Sequence, residues 1–122
     1  MPAPLHVLLA DPDATTRKAL ILLFKSKLGI LDVREVADGA ALALAVADSA
    51  PDLLLLDWSL PGRPAGEGCR RWRQAHPDLR VAILSVDAAT AAEAEALGAV
   101  FIHKGSAAEQ VLEQLRGLLQ PN

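Results

Sequence analysis

Four short apolar runs constrain the fold of this chain more than any other feature: Val7 to Ala10, Leu53 to Leu56, Val81 to Leu84 and Val100 to Ile102. Leu53 to Leu56 is apolar at every position, so a strand there must be covered on both faces, as at the centre of a parallel sheet. The stretches between the runs have helical spacing, so the chain alternates strand and helix about five times. Each run also stops at a polar residue. The stops are Asp11, Asp57, Ser85 and, after His103, Lys104. In a parallel α/β sheet the strand C-termini share one edge, and ligands bind in the crevice there.

The elements follow in order. A first strand is expected over about Leu5 to Ala10 and a helix over about Ala14 to Leu28, with Ala19, Leu20, Leu22, Leu23 and Phe24 weighted to one side. Asp32 to Ala37 reads as a half-exposed strand, and Asp38-Gly39 as a turn into an alanine-rich helix over Ala40 to Ala47. After the Leu53 to Leu56 strand, a loop with Pro61, Gly62 and Pro64 leads to a polar helix over Gly66 to His76. A strand over Arg80 to Leu84 precedes a helix over about Ala88 to Leu97, stopped by Gly98. The last strand is Val100 to His103. The last helix is Ala107 to Leu119, with Val111, Leu112, Leu115, Leu118 and Leu119 facing inward. Strands this closely spaced and joined by helices give a doubly wound five-stranded parallel sheet of order 2-1-3-4-5, with helices on both faces.

Size and composition narrow the function classes. At 122 residues the chain is expected to form one domain with a real core. A formal charge of −3 leaves no basic footprint, so direct nucleic-acid binding is not expected. A lone cysteine, Cys69, has no internal partner and suits a reducing compartment. No segment reaches the roughly 18 apolar residues of a membrane span, so a cytoplasmic protein without membrane contact is expected.

The four strand ends suit phosphoryl chemistry. An ionised carboxylate can act as a nucleophile and become an acyl phosphate, which fits Asp57 at the end of the central strand. A second acid beside it, Asp11, would repel it unless a cation intervened, and Mg²⁺ takes such hard oxygen ligands. Lys104 offers a positive charge to a phosphoryl oxygen and Ser85 a hydroxyl donor to another. Each residue alone also has a plainer role. An Asp after a strand caps a turn or helix, Ser85 is a loop hydroxyl, and Lys104 is solvated surface. Those roles leave the coincidence of four suitable residues at four strand ends without an explanation.

At these residues the chain resembles the receiver domain of bacterial two-component response regulators, a chemotaxis-regulator-like, flavodoxin-like fold. Leu54-Leu55-Leu56-Asp57-Trp58-Ser59-Leu60-Pro61-Gly62 is similar to the family's acceptor segment. Leu8-Leu9-Ala10-Asp11 is similar to its acidic strand end, Leu84-Ser85 to its switch Ser or Thr, and Phe101-Ile102-His103-Lys104 to its switch aromatic and lysine. Ala37-Asp38-Gly39 and Leu97-Gly98-Ala99 are further family-like turns. The resemblance covers about residues 4 to 120 as one receiver domain. Lys104-Gly105-Ser106, rather than Lys-Pro, is similar to receivers that precede helix-turn-helix effector domains.

The resemblance implies that Asp57 accepts a phosphoryl group from a histidine kinase or phosphotransfer protein, with Mg²⁺ held by Asp11, Asp57 and the Ser59 backbone carbonyl. It implies that Ser85 and Phe101 then switch, remodelling the face of the fourth helix, last strand and fifth helix for an effector domain or protein. Homodimerisation on phosphorylation is a further expectation. The chain would be a signalling domain, with at most self-catalysed phosphorylation and dephosphorylation.

Some residues depart from the family pattern. Two adjacent acids usually end the first strand, and here they are Asp11 and Pro12. Asp13 is displaced by one position. It is a further candidate for the metal, but capping of the first helix suits it better, so weaker Mg²⁺ binding is expected. Val86, bulkier than the usual small residue, is expected to restrict access. The loop before Gly66 is one residue longer than usual and carries Arg63 and Pro64.

Cys69 is expected to be an inert thiol, Trp72 to be partly buried, and His6 and His76 to lie on the surface. His103 has a structural role rather than a phosphate-donating one, and Arg70, Arg71 and Arg73 form a solvated face.

Two rival readings remain. In a pseudo-receiver the same fold binds protein without phosphorylation. Asp11-Pro12-Asp13-Ala14-Thr15 also resembles the nucleophile motif of haloacid-dehalogenase-like phosphatases, with Asp11 as nucleophile and Asp13 as acid. That reading lacks the later acidic metal pair, since only Glu109 and Glu113 follow Lys104, both on a helix. Flavin binding is disfavoured because no glycine follows the first strand for close phosphate approach.

Overall fold

In the computed structural model, which describes residues 5–62 and 65–120, the alternation of apolar runs and helices becomes ten elements. In chain order they are β1 (His6–Ala10), α1 (Ala14–Lys27), β2 (Asp32–Val36), α2 (Gly39–Asp48), β3 (Leu53–Asp57), α3 (Ala65–Ala75), β4 (Arg80–Ser85), α4 (Thr90–Ala96), β5 (Val100–His103) and α5 (Ala108–Leu119). The strands form one sheet of order β2-β1-β3-β4-β5, and every pairing is parallel. The doubly wound sheet read from the sequence is the one formed.

Strand parity divides the core in two. Val7, Leu9, Leu53, Leu55, Ala82, Leu84 and Ile102 pack with Leu20 and Phe24 of α1 and Val111 and Leu115 of α5. Leu8, Ala10, Leu54, Leu56, Val81 and Ile83 pack on the other face, with Leu42 and Val46 of α2, Cys69 of α3 and Ala94 of α4. All of β3 is buried, which explains why its sequence shows no alternation.

Most element bounds shift by one residue or none from the sequence reading. α4 is the larger difference, starting at Thr90 rather than Ala88. Asp87 delays it: its carboxylate accepts from Ala89 N (2.9 Å) and its carbonyl from Thr90 N (3.0 Å), which holds a turn there. Leu22 corrects the expected apolar side of α1, being 66% exposed while Leu20 and Phe24 are buried. Two residues along a helix point to opposite sides, so Leu20 and Leu22 cannot share a face.

The chain leaves β1 toward β2 on one side and returns to β3 on the other, so the sheet's switch point lies between β1 and β3. Register brings the strand ends together there. Ala10 is level with Leu56, Asp57 with Leu84, and Ser85 with His103. Asp11 and Asp57 are therefore side by side. Ser85 stands one residue beyond them and Lys104 two, roughly 7 Å along the strands. Gly62, at φ 114°, folds the loop after β3 against the start of α2, where Pro61 O accepts from Gly39 N at 2.8 Å. Arg63 and Pro64 lie outside the described residues, as do the chain's first four and last two positions.

Candidate functional site

Asp11 and Asp57 are 1% and 2% exposed, adjacent acids at the sheet's switch point. The lysine two residues further on has a side chain long enough to reach back to them. Lys104 Nζ donates to Asp11 Oδ2 at 2.9 Å and also to Asp57 Oδ2. One ammonium thus joins three strands. The second oxygen of each acid is held by the turn that follows it: Asp57 Oδ1 accepts from the backbone Ser59 N (2.7 Å) and the side-chain Ser59 Oγ (2.6 Å), and Asp11 Oδ1 from the backbone Asp13 N (2.8 Å). Among the described residues no buried side-chain polar atom lacks a partner.

The electrostatics of the two acids differ. Burial pushes Asp11 above the ordinary carboxylate range; the Asp13 amide and Lys104 oppose this, and the charge of Asp57 adds to it. Burial also acts upward on Asp57, but the Lys104 ammonium with the Ser59 hydroxyl and amide outweighs it and holds that carboxyl low. Burial alone would depress Lys104, yet its two carboxylates raise it. The resting site therefore favours the ionised form at Asp57 more strongly than at Asp11.

The other sequence candidates take distinct places. Asp13 caps α1: its carboxylate accepts from Thr15 N (3.0 Å) and Thr16 Oγ1 (2.9 Å), which lowers its pKa. Ser85 is buried at the same edge, but its hydroxyl is engaged with Thr90 Oγ1 (3.0 Å) and accepts from Asp87 N (3.0 Å). Phe101 is half-buried against the α2–α3–α4 core and in edge contact with His103. Val86 stands out into solvent. Glu109 and Glu113 are exposed on α5, so the phosphatase constellation does not form around Asp11.

Cys69 is buried, and burial pushes its thiol up to about 11, which makes it inert at neutral pH. His6 and His76 are exposed, His103, Trp58 and Trp72 half-buried, and His103 Nδ1 accepts from Gly105 N at 2.9 Å. Arg73 departs from the expected solvated face and donates to the Gly98 carbonyl at the end of α4.

Two contacts of the site were not read from the sequence. Arg17 donates to the Asp11 carbonyl (2.6 Å) and to Glu35 (2.8 Å), bracing the end of β1. Thr90 is the partner of Ser85. The available signal for Thr90 was a lone hydroxyl in Ala88-Ala89-Thr90-Ala91-Ala92.

The donor set suits a hard divalent cation that keeps several waters: two carboxylates side by side, with the backbone turn of Ser59 beside them. Asp13 is spent on the cap, and among the described residues no three His, Cys, Asp or Glu side chains are grouped to hold a metal.

The sequence model of the response regulator receiver domain family matches residues 7–116. A transcriptional activator protein, ExaE of Pseudomonas putida, is 34% identical over 116 residues, 93% of this chain but 54% of the relative, so the chain spans about half of that protein. Among solved structures, a two-component response regulator of the LuxR family from Aurantimonas sp. SI85-9A1 superposes with TM-score 0.83 at 24% identity, covering 96% of this chain and 86% of that one. NtrX from Brucella abortus superposes with TM-score 0.80 at 26% identity, over 96% of this chain and 27% of NtrX. Among the described residues no helix is long and apolar enough to cross a membrane.

Proposed function

The chain belongs to the response regulator receiver domain family of two-component signalling, and from that premise we propose that Asp57 is its phospho-acceptor. One observation carries this reading: Lys104 Nζ joins the buried carboxylates of Asp11 and Asp57 at the sheet's switch point. The donor is a phosphohistidine on a histidine kinase or phosphotransfer protein. An Asp57 carboxylate oxygen attacks phosphorus, the P–N bond breaks, and the departing imidazole nitrogen recovers a proton. Lys104 then turns from the carboxylates to a phosphoryl oxygen, and Ser85 supplies a hydroxyl to another.

Asp11, Asp57 and the Ser59 carbonyl would hold Mg²⁺, which supplies positive charge against the oxygens of the phosphoryl group. Arg17 keeps Asp11 in place for this by bracing its carbonyl. The output is a changed α4–β5–α5 face, read by an effector domain or protein; the transcriptional activator ExaE supports a transcriptional output. A cytoplasmic setting belongs to the same reading.

Incubating the chain with a small phosphodonor and Mg²⁺, then mapping base-labile phosphate by mass spectrometry, tests it. Label is expected on Asp57 and none in Asp57→Asn. Label on Asp11, or turnover of phosphomonoesters, would instead mark a phosphatase, and no label with any donor a pseudo-receiver.

A further inference from the structure

We propose that Thr90 is a positioning residue that holds the Ser85 hydroxyl in its resting place, and so sets how readily the site closes over a phosphoryl group. This rests on the reading of Asp57 as the acceptor. Thr90 is the first residue of α4 and is 3% exposed, although its hydroxyl is polar. Its Oγ1 lies 3.0 Å from Ser85 Oγ, in a buried contact. Ser85 Oγ also accepts from Asp87 N, so the serine hydroxyl is tied to both ends of the turn before α4.

Ser85 is linked to the acceptor site through its backbone, because its carbonyl accepts from Lys104 N at 2.9 Å. The same residue thus joins the lysine loop through its main chain and α4 through its side chain. The N-cap residue of α4, Ala89, makes no side-chain cap of its own, and the Asp87 carboxylate accepts from its amide at 2.9 Å.

Whichever hydroxyl donates, the contact is lost when Ser85 Oγ leaves for a phosphoryl oxygen. Thr90 is then left with a buried hydroxyl that must find a new partner, at a cost in free energy. The Ser85–Thr90 contact therefore opposes closure. Valine has nearly the shape of threonine and no hydroxyl. Thr90→Val removes both the resting partner of Ser85 and the group orphaned on closure.

The test is equilibrium binding of beryllofluoride with Mg²⁺ to the full chain, followed by tryptophan fluorescence. Thr90→Val is expected to bind roughly three- to tenfold tighter than wild type, the range of one modest hydrogen bond, and Thr90→Ser within about twofold. In a Ser85→Ala background, Thr90→Val is expected to change nothing, an outcome that a general packing effect of Thr90 would not produce. Thr90→Ala gives the same reading if the valine variant fails to fold. Unchanged or weaker binding by Thr90→Val, or an equal gain without Ser85, would overturn the proposal. Absence of binding by wild type would overturn the acceptor reading beneath it.

Discussion

At the scale of single residues the site is an imbalance of charge: two buried carboxylates share one ammonium. The three groups respond to pH with different signs. Asp57, held below its ordinary value of 3.8, adds stability present above that pH and lost as pH falls through its lower folded value. Asp11, raised by burial, favours its proton in the folded state, so its contribution declines as pH rises through the raised value. Lys104, raised above 10.5, adds stability that is full below that pH and lost as pH rises through its folded value. Replacing Lys104 with methionine leaves the acids facing each other without a counter-charge. It is expected to cost about 2 kcal/mol at neutral pH, less than a fully buried pair because the lysine is partly exposed. The deficit should shrink below about pH 4, where ordinary carboxyls take up protons. Urea unfolding of both proteins across that range measures it, and a deficit independent of pH would count against the account. The residues of this site were legible because each follows an apolar run that fixes its place on the sheet edge. Arg17 and Thr90 were not, because their roles depend on which way a helix start turns them.

At the scale of elements, the ends of the helices decide what the site can use. Pro12 carries no carboxylate, and α1 takes the one at Asp13 for its own first turn. Asp13→Ala is therefore expected to lower the thermal midpoint by a few degrees while leaving Mg²⁺ affinity unchanged. Because the cap lowers the Asp13 pKa, its stabilisation holds above 3.8 and fades as pH falls below. A Mg²⁺ titration followed by Trp58 fluorescence separates the two roles: a clear loss of affinity in Asp13→Ala would place Asp13 at the metal. Strand positions were readable because a buried parallel strand must be apolar on both faces, as in Leu53 to Leu56. The start of α4 was not, since Ala88 and Ala89 have high helix propensity and only the Asp87 turn holds them out of the helix. Nor was the exposure of Leu22, because hydrophobicity alone does not say which side of α1 meets the sheet.

At the scale of the whole molecule, the sheet ties two cores into one. Leu53 and Leu55 face α1 and α5, while Leu54 and Leu56, their neighbours on the same strand, face α2, α3 and α4. A loss on one face cannot be confined there, because β3 would have to release both. The acceptor edge depends on this, since Asp57 is the last residue of that strand and Trp58 packs on the α2–α3–α4 side. Leu55→Ala, which opens a cavity on the α1–α5 side, is expected to cost about 2–5 kcal/mol. For a domain of this size the unfolding should remain a single cooperative transition. Tryptophan fluorescence, which reports Trp58 and Trp72 on the opposite face, should then move to the same lower midpoint as far-UV circular dichroism. Separate midpoints in urea would show that the two cores melt independently and that the strand does not couple them.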